Sequence, residues 1–437
     1  MSGLGYSSPT GALQRSAVER LMQRLDIFAG YTDQPGKITR LYLSRAHREA
    51  AATLTQWMAA AGMSAAVDPI GNVVGRYEGS EPNARALLIG SHIDTVRDAG
   101  RYDGNFGVLA GLTCIEEFAK AGTRFPFAIE VIAFGDEEGV RFPSALTGSR
   151  AMAGEFDPNV LDGRDESGVS LREALVAFGG DPLRIGAAAR RPQDVIAYIE
   201  LHIEQGPVLE ASHAPIGIVT AISGASRFEA DVIGTAGHAG TAPMNMRADA
   251  LTGAAEMILA IEALAQRTPT LVATVGEIEV LPGSVNVVPG EARFTIDLRA
   301  PTDDVRERAA EVLATELSTI ANRRGLRIVL KQTHQASAAP CDDRLIKAFS
   351  RSVTRAGLDL QLLPSGAGHD AMAMARLCPM GMLFVRCAGG ISHSPAESIT
   401  VEDAGCALGV LMDFVVSLDE QAFPSPEASL DTAMARS

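Results

Sequence analysis

Four apolar runs in this chain each give way, within a few residues, to histidines or carboxylates. Ala86-Leu-Leu-Ile89 leads into Gly90-Ser-His-Ile-Asp-Thr-Val96, which carries His92 and Asp94. Ala128–Phe134 leads into Gly135-Asp-Glu-Glu-Gly139, which carries Glu137 and Glu138. Val195–Leu201 is followed at once by His202, and Gly381-Met-Leu-Phe-Val385 is followed shortly by His393. Nearly continuous apolar runs of this length suit strands buried on both faces. Between the first two, Gly107–Ala121 has helical character. Strand–helix–strand order specifies an α/β fold with a largely parallel or mixed sheet covered on both sides. Ligands of such sheets collect beyond the carboxyl ends of the strands, so four strand ends deliver four sets of polar groups to one rim.

The formal net charge of −15 argues against nucleic acid or an anionic membrane as partner. A small anionic substrate remains compatible with it, because the field inside a cleft can oppose the net charge. Five cysteines lie far apart with no CxxC pair, which fits free thiols in a reduced cytosol. The N-terminus lacks a basic-then-apolar signal pattern, and Ala404–Val416 is interrupted by Asp413 and too short to span a bilayer. A soluble cytoplasmic protein is expected.

Helical spacing marks residues 15–30 and 44–62, with Gly62 as the stop of the second. From about Pro215 to His334 the pattern changes. Ile216–Ile222 and Arg227–Ile233 read as paired strands, Ala248–Ala265 as a helix, Leu271–Val280 and Ala292–Leu298 as a second strand pair, Asp303–Asn322 as a helix and Arg327–Lys331 as a closing strand. This order predicts a small α+β domain over 215–334, inserted into a catalytic domain made of 1–214 and 335–423, with a mobile tail over 424–437.

The polar residues of the rim are ambiguous one at a time. A His two residues before an Asp places the Asp94 carboxylate behind the His92 imidazole, where it orients the ring, although Asp and Ser also favour plain turns. Asp103, in Tyr-Asp-Gly-Asn-Phe-Gly, has the glycines that let backbone approach a ligand; an Asp-Gly turn with Asn105 as N-cap is the ordinary alternative. The triplet Asp136-Glu-Glu138 crowds like charges, which a divalent metal relieves while one Glu ligates and its neighbour acts as base. His202 suits a core or a ligand position, and the Gly-Gly-Ile-Ser-His-Ser-Pro loop around His393 suits a site better than a core. His47, His213 and His334 read as ordinary core or solvent histidines. Together the set points to a two-metal hydrolase with two divalent ions.

Over about residues 15–420 the chain resembles the metal-dependent amidases called hydantoinase/carbamoylase, within the M20 metallopeptidase-like superfamily. The resemblance rests on GSHIDTV, YDGNFG, GDEEGVRF, LHIEQGPVLE, GHAGTAPM, GSVNVVPG, DLRA, SGAGHDA and ISHSPAE. It implies a mixed-sheet phosphorylase/hydrolase-type catalytic domain with a ferredoxin-like dimerisation or lid insert. By resemblance, Asp103 bridges two zinc or manganese ions, His92 and His202 complete one site, and Glu138 and His393 the other. Glu137 is the base, and Asp94 and His238 complete the catalytic set. His238 reaches a neighbouring subunit's site in a homodimer and stabilises the oxyanion. Gln205, His238, Asn286, Arg299 and His369 are implied substrate contacts. Arg299 has the planar fork that suits a carboxylate; its own neighbours Asp297 and Asp303 offer a surface ion pair instead.

The expected substrate is a small anionic ureido acid. Pro35–Ser44 and Asp98–Asp103 look most like allantoate amidohydrolases, with N-carbamoyl-L-amino-acid hydrolase and β-ureidopropionase as alternatives. A peptidase reading is disfavoured by His202, where peptidase-like relatives carry a carboxylate. A non-catalytic metal-binding dimer on the same fold is the alternative of a different class.

Overall fold

The computed structural model describes residues 12–424, so all but the first residue of the tail expected at 424–437 lies outside the described residues. The chain divides into two compact units. The larger comprises the chain up to Thr220, Cys341–Leu363 and the chain from His369 onward; the smaller comprises Ala221–Pro340 and Pro364–Gly368.

The larger unit is built on a mixed sheet. Its strands are β1 (Ser64–Val67), β2 (Val73–Tyr77), β3 (Ala86–His92), β4 (Ala128–Phe134), β5 (Val195–Ile203), β6 (Ile216–Ile222) and β7 (Met380–Val385). They lie in the order β1-β2-β4-β3-β5-β7-β6. The four runs singled out from sequence are the four central strands, and β4–β3, β3–β5 and β5–β7 are all parallel pairs. Every residue of these four strands is buried, which is why they show no alternation of polar and apolar side chains. The helix Asn105–Lys120 buries Phe106, Leu109, Leu112 and Ile115 in the same core as Leu87, Ile89 and Val131. Glu130 is the one carboxylate inside β4. Arg76 Nη1 (3.1 Å) and Arg190 Nη2 (2.9 Å) satisfy its two oxygens, which makes its burial tolerable.

β6 departs from expectation. It pairs not with the following strand but antiparallel with β7, Val219 opposite Met382. Its sequence Ile-Gly-Ile-Val-Thr-Ala-Ile is apolar on both faces, so it belongs in a sheet covered on both sides, whereas Gly224–Ile233 alternates buried and exposed along its second half.

The smaller unit runs strand–helix–strand–strand–helix–strand: Gly224–Ile233, Ala250–Arg267, Ile278–Leu281, Glu291–Ala300, Asp303–Arg323 and Arg327–Ala336. Counted in chain order, the antiparallel strands lie fourth-first-third-second, the ferredoxin-like arrangement, with Val272–Thr274 added on Glu291–Ala300. Ala292, Phe294, Ile296, Leu298 and Ala300 point every second side chain into a core shared with Ala254, Met257, Leu313 and Leu317 of the helices. No helix among the described residues is long and apolar enough to cross a membrane.

Candidate binuclear metal site

His92 ends β3 and His202 lies near the end of β5, both buried. His92 Nδ1 lies 2.9 Å from the carbonyl oxygen of Asp94, and His202 Nδ1 lies 2.9 Å from that of Ile203. A carbonyl only accepts, so each ring carries a proton on Nδ1 and turns its Nε2 toward the site. The amide of Gly104 donates to His202 Nε2 (3.3 Å), in keeping with that tautomer. The two Nε2 atoms are 3.5 Å apart and face the same point. This is the ligating form of histidine, with the second nitrogen fixed by main chain.

Asp103 sits at the centre. Its Oδ1 is 3.0 Å from His202 Nε2 and 3.5 Å from His92 Nε2; its Oδ2 is 3.2 Å from His393 Nε2. Gly104, with φ of 65°, follows it, and a Cβ there would strike the His92 ring. Glu138 Oε2 is 3.6 Å from His393 Nε2, and Glu137 Oε2 is 4.0 Å from His92 Nε2. Four donor groups have their ligand atoms within 4.8 Å of one another: His92–Asp103–His202 and Asp103–Glu138–His393, which share Asp103, together with His92–Glu137–Glu138 and Glu200–His202–His369. Imidazole nitrogens and carboxylate oxygens in this number suit zinc or manganese. The residues therefore fit the implied pair of cations.

The electrostatics of the donor set agree. Burial pushes the Glu137 carboxyl well above its usual range, with Glu138 and Asp370 adding to it and His92 opposing. Burial, aided by Asp103, raises Glu138 to about 7. Burial alone would also raise Asp103, but His202, His393 and His92 hold it well below the ordinary value. Burial opposes charge on His92, yet Asp103, Glu137 and Asp94 carry its pKa well above that of a free imidazole. The cluster holds more negative charge than its own imidazoles offset, which is the condition a divalent cation relieves.

Asp94 lies behind His92, its Oδ1 3.9 Å from Nδ1, but the ring's hydrogen bond goes to its main chain. The imidazole bonds to the Asp94 main-chain carbonyl, while the carboxylate accepts the amide N–H groups of Glu137 and Glu138, both at 3.2 Å. Chain geometry explains this. Two residues past His92 the main-chain carbonyl faces Nδ1, and the carboxylate reaches the loop after β4. Asp94 thus orients the acidic pair.

Gln205, with φ of 57°, donates from Nε2 to Asp103 Oδ2 (3.0 Å), so the structure sets it against the central carboxylate. His369 is buried with its ring edge-on to His202, centroids 4.5 Å apart, and burial, with the charge of His202, depresses its pKa well below the usual value. His238, Asn286 and Arg299 belong to the smaller unit. His238 pairs with Val287 in a short ribbon, and the Ala239 amide donates to the Asn286 carbonyl (2.9 Å). The Gly240 amide donates to His238 Nδ1 (3.1 Å), which leaves the proton on an exposed Nε2. Arg299 grips Asp297 through Nε (2.9 Å) and Nη2 (3.0 Å) and the Gly366 carbonyl through Nη1 (2.7 Å), on the wall of a cavity of about 780 Å³. Its ion-pair partner is Asp297; Asp303 pairs with Arg306 instead.

Sequence reasoning missed Glu200, Ser392 and Glu397. Glu200 is buried in β5 and accepts from Ser91 Oγ (2.9 Å), Tyr198 Oη (3.1 Å) and the Ala371 amide (3.0 Å), fastening three segments behind His202. A carboxylate two residues before His202 in an otherwise apolar strand was the available signal.

Comparison with known proteins identifies the family. The peptidase family M20/M25/M40 profile matches residues 88–417. N-carbamoyl-L-amino acid amidohydrolase of Geobacillus stearothermophilus is 43% identical over 90% of this chain and 95% of its own length. Allantoate deiminase of Arabidopsis thaliana is 38% identical over 95% of this chain and 85% of its own. The crystal structure of a hydantoinase/carbamoylase family amidase from Burkholderia multivorans superposes with a TM-score of 0.87 at 34% identity, covering 92% of this chain and 97% of that one. A shared fold and matches over nearly the full length lead to one conclusion: the chain belongs to peptidase family M20/M25/M40, among its hydantoinase/carbamoylase-type hydrolases of non-peptide C–N bonds.

Proposed function

We propose that this protein hydrolyses the ureido C–N bond of a small carboxylate, with allantoate as the preferred substrate. The observation that carries the reading is the pair of donor groups sharing Asp103, with Glu137 outside that pair, in a further group with His92 and Glu138. When bound, two divalent cations supply Lewis acidity and lower the pKa of water, toward ~7 in known cases. His92, His202 and Asp103 hold one, and Asp103, Glu138 and His393 the other. Glu137 takes a proton from the attacking water as it adds to the ureido carbonyl carbon, then returns it to the leaving nitrogen. The carbonyl oxygen gains negative charge as the tetrahedral centre forms. His238, donating from Nε2–H, neutralises part of that charge from the neighbouring subunit of a homodimer. Collapse releases an amine and a carbamate, which breaks down to carbon dioxide and ammonia.

Two segments support allantoate. Pro35–Ser44 and Asp98–Asp103, which resemble the allantoate enzymes, pack on each other: the Ala99 amide donates to the Ile38 carbonyl (2.8 Å) and the Asp98 amide to Thr39 Oγ1 (3.0 Å). A second reading, N-carbamoyl-L-amino acid hydrolysis, is favoured by the 43% identity to the Geobacillus enzyme. Ammonia release from the manganese-loaded protein, measured across allantoate, N-carbamoyl-L-amino acids and β-ureidopropionate, separates the two. Allantoate is expected to turn over fastest. Fast turnover of a carbamoyl amino acid with none of allantoate would replace the first reading by the second.

A further inference from the structure

We propose that Glu397 is a positioning residue that ties the His393 loop to the Asp103 loop, so that the cation held by Asp103, Glu138 and His393 depends on it more than the other does. The inference rests on the two-cation reading above.

Glu397 is buried and nearly three hundred residues from Asp103 in sequence. Its Oε1 accepts the amides of Tyr102 (2.8 Å) and Asp103 (3.1 Å). Its Oε2 is 3.2 Å from Ser392 Oγ, which itself lies 2.9 Å from Asp103 Oδ2. One carboxylate therefore fixes the main chain of the bridging aspartate and, through one hydroxyl, the residue before His393. Gly100 has no side chain for a matching reason: a Cβ there would land on the Glu397 carboxyl.

The two halves of the site differ in how they are held. His92 and His202 have side chains 2% and 1% exposed and Nδ1 atoms pinned to carbonyls. The His393 side chain is 49% exposed, its φ is 56°, and no carbonyl bond of that kind fixes its ring among the described residues. A residue with a Cβ keeps such a backbone only where its surroundings impose it. Glu397 and Ser392 are those surroundings. Partners of this kind behind a ligand are typically worth about 10–100-fold in metal affinity.

The test loads the full-length wild-type, E397A, E397Q and S392A proteins with Mn²⁺, dialyses them against graded chelator and measures metal per chain. Wild type is expected to retain two cations. E397A is expected to keep one and to release the other with an apparent Kd raised about 10–100-fold. E397Q keeps an acceptor oxygen for the two amides and can donate to Ser392 Oγ, so it is expected to behave like wild type. S392A is expected to weaken the same single cation. Both cations held normally in E397A, both lost together, or E397Q failing as E397A does would each overturn the inference. If E397A does not fold, normal binding of both cations by S392A overturns it. Wild type retaining fewer than two would instead overturn the two-cation reading, and this inference with it.

Discussion

Glu137 and Glu138 are neighbours for which we propose separate tasks, base and ligand, and Asp94 holds the main chain of both. Its carboxylate holds both of their amides, so one side chain turns toward His393 and the other toward His92. Glu137→Gln removes the base but leaves both donor groups that share Asp103 complete. Activity is expected to fall by about 10²–10⁴-fold with metal content unchanged, measured by ammonia release and elemental analysis on the same preparation. Equal activity would remove Glu137 from the chemistry. Asp94→Asn leaves one of two buried amides without an acceptor. A stability loss of about 1–3 kcal/mol is expected in urea titrations. How Asp94 works was not legible in the sequence: the spacing of His92 and Asp94 is the same whether carbonyl or carboxylate meets the ring, and only the turn of the main chain decides it.

Among the elements, the helix Arg45–Ala60 carries an acid-sensitive group. His47 in its first turn is fully buried and accepts the Leu43 amide on Nδ1 (2.9 Å). Burial, with the charges of Arg40 and Arg141, lowers its pKa to about 3. The unfolded chain binds this proton near pH 6.5 and the folded one only near 3. Stability from the neutral ring is therefore complete above about pH 6.5 and drains away as pH falls toward 3, by up to ~1.4 kcal/mol per pH unit. His47→Asn, which can keep an acceptor for Leu43, is expected to flatten the fall of Tm between pH 6 and 4. An unchanged slope would show that the acid sensitivity lies elsewhere. The strands themselves were readable, because apolar runs such as Ala86–Ile89 tolerate only burial on both faces. The partner of β6 was not, since a short apolar run fits either of two sheets and the choice is made by long-range packing.

At the scale of the whole molecule, the donor atoms come from positions spread between His92 and His393, so cation binding acts as a clasp on the fold. Chelation is expected to lower Tm, and excess Mn²⁺ to restore it, because a ligand that binds only the folded state stabilises it. A Tm indifferent to both would count against the site. The homodimer proposal has its own test. Glu137→Gln and His238→Ala proteins are each expected to be nearly inactive. If His238 serves the neighbouring subunit, unfolding them together and refolding in equal amounts restores about a quarter of wild-type activity, since half the dimers are mixed and each mixed dimer has one intact site. A mixture as inactive as its parts would place His238 in its own subunit's site. The rim of donors was legible from sequence as four runs and their sequels, whereas Glu397 was not, because nothing local links it to Asp103.

β7 lies between β5 and β6, yet it is made long after both, with the smaller unit's residues intervening. On the ribosome, then, the first two hundred or so residues can supply His92, Asp103 and His202 together, while the seat between β5 and β6 stays vacant until residues 380–385 emerge. A chain that stops before residue 380 lacks His393 and leaves that place in the sheet open.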